Sequence, residues 1–180
     1  TGAVYTKEEL KELSEVLMNH PSILIGTDDM YEHVKLKDMP FYNILNVAPE
    51  LKDRCIVMNG VSKAYSMTGW RIGFAAGPSY IIKAVEILQS QSTSNPTSIS
   101  QVAAEAALSG DQACMEPMIR AFRERHAYVV KSFNEIPGLS CIEAEGAFYA
   151  FPDARKAIEN LYNKKILKEK NDLALADYLL

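Results

Sequence analysis

Histidine and cysteine are scarce, with three of each among 180 residues. The cysteines, Cys55, Cys114 and Cys141, are far apart, so neither a paired-thiol metal motif nor a disulfide framework is indicated, and reduced structural thiols are the expectation. His20, His33 and His126 form no HxxxH-type pair, which argues against a zinc site. No apolar run is long enough to cross a bilayer and no signal-peptide pattern is present, so no membrane partner is expected and the simplest location is cytoplasmic. Basic clusters are missing too. Nineteen Lys and Arg stand against 23 Asp and Glu, for a net charge of −4, whereas nucleic-acid binding wants a basic face. The one basic run, Asn163 to Lys170, contains Glu169 and reads as a solvated helix end or loop. Internal repeats and low-complexity tracts are absent as well. What remains is an ordinary globular composition, 48% apolar and 23% charged, with enough length for a sizeable core.

Against this background the segment Val61-Ser62-Lys63-Ala64-Tyr65-Ser66-Met67-Thr68-Gly69-Trp70-Arg71-Ile72-Gly73 stands out. It holds one lysine and, eight residues on, one arginine, among residues that are otherwise small, polar or apolar. Ammonium groups are costly to bury, burial favours the neutral amine, and a neutral amine is a nucleophile toward carbonyls. An arginine offers a planar fork suited to phosphate. An amine that condenses with an aldehyde, close to a phosphate clamp, is what pyridoxal 5'-phosphate needs.

The flanking pattern is that of an α/β protein. Thr6 and Glu9 form a capping box, and Leu10, Leu13, Val16 and Leu17 recur at helical spacing, which predicts a helix over 7–19 ended by Pro21. Residues 22–26 and 54–58 read as strands buried on both faces of a parallel sheet. Acidic residues then follow the first strand at its carboxyl end, where open α/β sheets place ligands. Residues 33–53 read as an irregular excursion and the lysine segment as a loop. Residues 71–77 read as a third strand. Helices follow over 78–90, with Ile81, Ile82, Val85 and Leu88 inward, then 96–110, then a long connecting helix over 113–135. Residues 139–144 and 146–151 read as a strand pair, and a further helix begins near Asp153.

Five stretches occur in an order that resembles the class I pyridoxal-phosphate-dependent aminotransferases of fold type I: Thr1 to Tyr5, Thr27-Asp28-Asp29-Met30-Tyr31-Glu32-His33, the lysine segment through Pro78, Ser92 to Pro96, and Gly146-Ala147-Phe148-Tyr149. The Thr-Gly-Trp-Arg-Ile-Gly form is similar to the bacterial aspartate aminotransferase branch. The resemblance implies that Lys63 is the Schiff-base lysine and proton carrier, and that Asp28 pairs with the cofactor's pyridine nitrogen. It implies that Tyr31 donates to the ring's 3-oxygen and that Arg71 clamps the phosphate, with Ser62 adding a hydroxyl. Asp29 competes with Asp28 on composition; the family's three-residue spacing to the tyrosine selects Asp28. Ser92 to Asn95 reads equally as a helix cap and as the loop that approaches a neighbouring subunit. Phe148 and Tyr149 line the family's substrate side, yet alternating aromatics on a short strand are more often core.

The same resemblance divides the chain into residues 1–112, the C-terminal part of the cofactor-binding large domain with its mainly parallel sheet, 113–136, a connecting helix, and 137–180, the start of a small α+β domain. It implies a homodimer and amino-group transfer between an amino acid, aspartate among the candidates, and a 2-oxo acid such as 2-oxoglutarate. The family's phosphate loop, ring-stacking aromatic, a cofactor-binding asparagine and the arginine for the substrate carboxylate have no counterpart here. The expectation is therefore a piece lacking both ends of the family pattern and inactive when isolated. Two other functions fit the residues: a carbon–sulfur lyase on the same scaffold, and a non-catalytic regulatory module of the same fold.

Overall fold

A computed structural model describes residues 2–180. The capping box forms as the sequence predicts: the Thr6 hydroxyl accepts from the Glu9 amide at 3.2 Å, while the Glu9 carboxylate accepts from the Thr6 amide at 2.8 Å. Helix α1 (Lys7–Met18) follows, then strand β1 (Ile25–Asp28). The region expected to be irregular contains helix α2 (Ile44–Val47) and a 3-10 turn (Pro49–Arg54). The overlooked signal is an asparagine version of the capping box. Asn43 accepts from the Leu45 amide at 2.7 Å and donates its own amide to Asn46 at 2.9 Å. Pro49 then opens the 3-10 turn, where a missing N–H costs nothing.

Strand β2 (Cys55–Gly60) pairs in parallel with β1 and antiparallel with β3 (Gly73–Ala76), so the sheet is mixed, in the order β1-β2-β3. The lysine segment between β2 and β3 is not a plain loop. It folds into helix α3 (Val61–Ala64) and a 3-10 turn (Thr68–Trp70). Helices α4 (Ser79–Ser92), α5 (Ser98–Ser109) and α6 (Glu116–Glu135) come close to their expected spans. Helices α7 (Arg155–Asn163) and α8 (Asp172–Leu179) complete the chain. The strand pair expected over 139–151 does not form. Its residues make only isolated bridges, Lys35 with Gly146 and Ser140 with Asp153, because Gly146 pairs with the turn after β1 rather than with its own neighbour.

Leu10, Ile44, Ala48, Leu51 and Cys55 form the core, so α1, α2 and the 3-10 turn pack on one face of β1 and β2. The strands are less enclosed than their apolar runs suggest. In β1 half-buried and exposed residues alternate, and all four residues of β3 are exposed. The expected inner face of α4 is only partly covered: Ile81 and Ile82 are half-buried, while Val85 and Leu88 are exposed, Leu88 by 71%.

Arg54 ties α1 to the sheet. Its guanidinium donates to the carbonyls of Leu17 at 2.6 Å, Ile23 at 2.7 Å and His20 at 3.1 Å, which closes the turn between α1 and β1. Charge-assisted bonds of this kind are worth about 1.5–3 kcal/mol each where shielded, and less where water competes. Arg54→Ala should therefore lower the urea midpoint of unfolding by the equivalent of about 1–3 kcal/mol.

Candidate active site

The end of β1 turns two adjacent carboxylates in opposite directions, as strand alternation requires. Asp29 is 8% exposed and fully engaged: it accepts from the Thr27 hydroxyl at 2.7 Å and from the Asn43 amide, and its N–H continues the ladder to Met58 O. Asp28 is exposed and accepts only from the Met30 amide, at 3.3 Å. The two carboxylates thus differ in setting: Asp29 is tied to Thr27 and Asn43, and Asp28 is exposed with one long bond among the described residues. Burial pushes the Cys55 thiol up, and the Asp29 charge adds to this.

The turn after Asp28 presents Tyr31, half-buried. Its hydroxyl lies 2.6 Å from that of Tyr149, and its ring meets those of Phe148 and Tyr149 edge-on at 5.5 and 5.8 Å. Phe148 also stacks on Phe122 of α6 at 5.3 Å. Phe148 and Tyr149 are 39% and 47% exposed and lie on no strand, so they are not core residues. Their backbone is pinned from several sides: Ala147 N donates to Val34 O, Leu36 N to Glu145 O, and Gly146 N to Gly2 O. A side chain is not tolerated at Gly2. Its φ is +89°, and an added Cβ would stand 2.5 Å from that of Ala144.

Lys63 is half-buried on α3, with Ser62 buried beside it. The Lys63 Nζ lies 5.5 Å from the Phe148 ring centroid and 5.8 Å from that of Tyr31, within cation–π range of both. It makes no ion pair among the described residues. Behind it, β2 and β3 close tightly. A Cβ at Gly60 would meet Gly73 Cα and Ile72 O at 3.0 Å, so glycine there keeps the strand end compact just before the lysine. Glu32 braces the same strand end by accepting from the Asn59 amide at 2.6 Å.

Arg71 closes the lysine segment in a left-handed conformation, φ 51°, and Ser66 adopts φ 54°. Left-handed residues other than glycine cost energy and cluster at functional sites. The Arg71 Nη1 donates to Thr68 O at 2.9 Å, and no carboxylate neutralises the guanidinium among the described residues. Ser92 to Asn95 ends α4 and turns toward α5; the residue at the α5 cap is Thr97, whose side chain makes no capping bond.

Burial above all, then the bond to Tyr149 and the Tyr149 and Asp28 charges, pushes the Tyr31 phenol up to about 12 from 10.0. The fold thus favours the protonated phenol. That contribution to stability is complete below pH 10.0 and is lost as the pH rises toward 12. At neutral pH Tyr31 is an O–H donor. Amine, carboxylate, phenol and guanidinium all come from the ends of β1 and β2 and the segment leading into β3. The resemblance placed Phe148 and Tyr149 on the family's substrate side, against the core reading that their alternation suggested; nothing in their spacing links them to Lys63.

The family of class I and II aminotransferases matches residues 1–180. The chain belongs to that family. It is 58% identical over 180 residues to an aspartate/prephenate aminotransferase of Nitrosomonas europaea, covering all of this chain and 45% of that protein. It is 50% identical over 157 residues to an aspartate aminotransferase of Geobacillus stearothermophilus, covering 87% of this chain and 40% of that one. The crystal structure of the aspartate aminotransferase from Rhizobium meliloti superposes with a TM-score of 0.84 at 45% identity, over 87% of this chain and 39% of that one. The chain spans less than half the length of these relatives.

Proposed function

We propose that these residues form the lysine side of a pyridoxal-phosphate site in an aminotransferase. The observation that carries the reading is the Lys63 amine, set over the faces of Tyr31 and Phe148 and unpaired by any acid among the described residues. The donor set fits the cofactor: an unpaired amine, a free carboxylate edge on Asp28, a protonated phenol on Tyr31 and a guanidinium with no acidic partner. When bound, pyridoxal phosphate supplies an aldehyde carbon and an electron-withdrawing ring. Lys63 is the amine that engages that carbon, and its freed Nζ is the base for the α-proton of the incoming amino acid. The Asp28 carboxylate would hold a proton on the cofactor's ring nitrogen. Tyr31 donates its phenol hydrogen to an anionic ring oxygen. Arg71 and the Ser62 hydroxyl serve the phosphate.

The reaction proposed is amino transfer between an amino acid and a 2-oxo acid. The relatives' names point to aspartate as donor, and 2-oxoglutarate is an acceptor of matching chemistry. Residues 1–112 then belong to the cofactor-binding domain, 113–136 to the connecting helix and 137–180 to the small domain. The working assembly is a cytoplasmic homodimer. No helix among the described residues is long and apolar enough to cross a membrane.

Borohydride reduction of the chain equilibrated with pyridoxal phosphate tests the reading. Peptide mass mapping should place the pyridoxyl label on Lys63. A label on any of the other lysines instead would overturn it.

A further inference from the structure

We propose that Tyr149 is a positioning residue for Tyr31, holding the Tyr31 oxygen in place through a hydrogen bond whose direction can reverse. The proposal rests on the function proposed above. The two phenol oxygens are 2.6 Å apart, and either is able to donate. A phenol has one hydrogen and an oxygen that accepts. With Tyr31 donating to Tyr149, Tyr31 is kept neutral and still. When Tyr31 turns its hydrogen to a ligand held at Lys63, Tyr149 donates to the Tyr31 oxygen in its place. That incoming bond polarises Tyr31 and makes it the better donor.

The structure builds this contact deliberately, from residues 118 positions apart. Ala147 takes a left-handed φ of 57°, costly for a residue with a Cβ, two positions before Tyr149. Its amide is bonded to Val34 O at 2.8 Å, three residues beyond Tyr31, and Gly146 is bridged to Lys35. The strained turn is thus fastened to the same short segment that carries Tyr31. The edge-on packing of the two rings at 5.8 Å fixes the second tyrosine's approach. Phenylalanine at position 149 keeps the ring and removes only the hydroxyl.

The first measurement needs no cofactor. A fluorinated tyrosine at position 31, more acidic than tyrosine, is titrated by fluorine NMR in the 180-residue chain while it remains folded. With Tyr149→Phe its titration should move by about one pH unit, a tenfold change in proton affinity. An unchanged titration overturns the proposal. The second measurement follows the visible absorbance of the chain loaded with pyridoxal phosphate against pH. Tyr149→Phe should raise the midpoint while leaving the yield of borohydride label on Lys63 unchanged, and in a Tyr31→Phe background it should move nothing further. An equal shift in both backgrounds means a merely structural role and overturns the proposal. Failure of wild type to take the label on Lys63 counts against the proposed function, and the fluorine titration still decides the tyrosine pair.

Discussion

Lys63→Ala abolishes the borohydride-stable label and lowers amino transfer by at least the 10²–10⁴-fold that a positioned general base contributes. The transfer is measured in a hybrid in which these 180 residues replace the matching stretch of the Nitrosomonas europaea relative, 58% identical over that length. The size of the effect follows from what Lys63 does not do. Among the described residues it donates to no carboxylate and its amine meets two ring faces, so the fold has little invested in it. Partly exposed cation–π contacts are worth about 0.5–1 kcal/mol, so the variant should unfold within about 1 kcal/mol of the wild type. Activity and stability then separate. Lys63→Arg sharpens the point, because arginine keeps the cation over Phe148 and Tyr31 but stays protonated and condenses with no aldehyde. It should be as inactive as alanine. Transfer near the wild-type rate in either variant would remove Lys63 from the chemistry.

The lysine segment was legible in sequence because its peculiarity is local: one amine and one guanidinium among uncharged residues. The same holds for α1, whose capping box and apolar spacing are contained within a dozen residues, and for α4 to α6, which follow turn residues and periodicity. The parts that eluded reading depend on distant partners. Residues 139–151 have strand-like composition, yet Gly146 finds Lys35 across more than a hundred positions, and the hairpin never closes. Asn43 looked like a loop residue; its side chain caps α2 and anchors Asp29 at once. The stripe on α4 shows a further limit. Periodicity marks a face made to be covered and says nothing of what covers it, and Leu88 stays open here. At the site, the family resemblance named Asp28, Tyr31, Lys63 and Arg71. The same resemblance put Phe148 and Tyr149 on the substrate side, but their contacts with Tyr31 and Lys63 come from the packing of a pinned turn, which no local pattern encodes.

The adjacent aspartates give the second large effect, and they divide the labour of one strand end. Asp28→Ala should leave the Lys63 label intact while transfer in the hybrid falls about 10²–10³-fold, the usual loss when a preorganised charge is removed from a reacting centre. Asp28 accepts one long bond at 3.3 Å and is exposed, so folding loses little with it. Asp29→Ala should behave in the opposite way. It removes the acceptor for Thr27 and Asn43 and leaves half-buried donors unpaired, at about 1–3 kcal/mol. Transfer per folded molecule should survive, because the Asp29 carboxylate is already engaged by Thr27 and Asn43. A calorimetric scan and an initial-rate assay on both variants decide the matter. If Asp29→Ala is the catalytically dead variant and Asp28→Ala the unstable one, the roles are exchanged, and the three-residue spacing to Tyr31 has selected the wrong carboxylate.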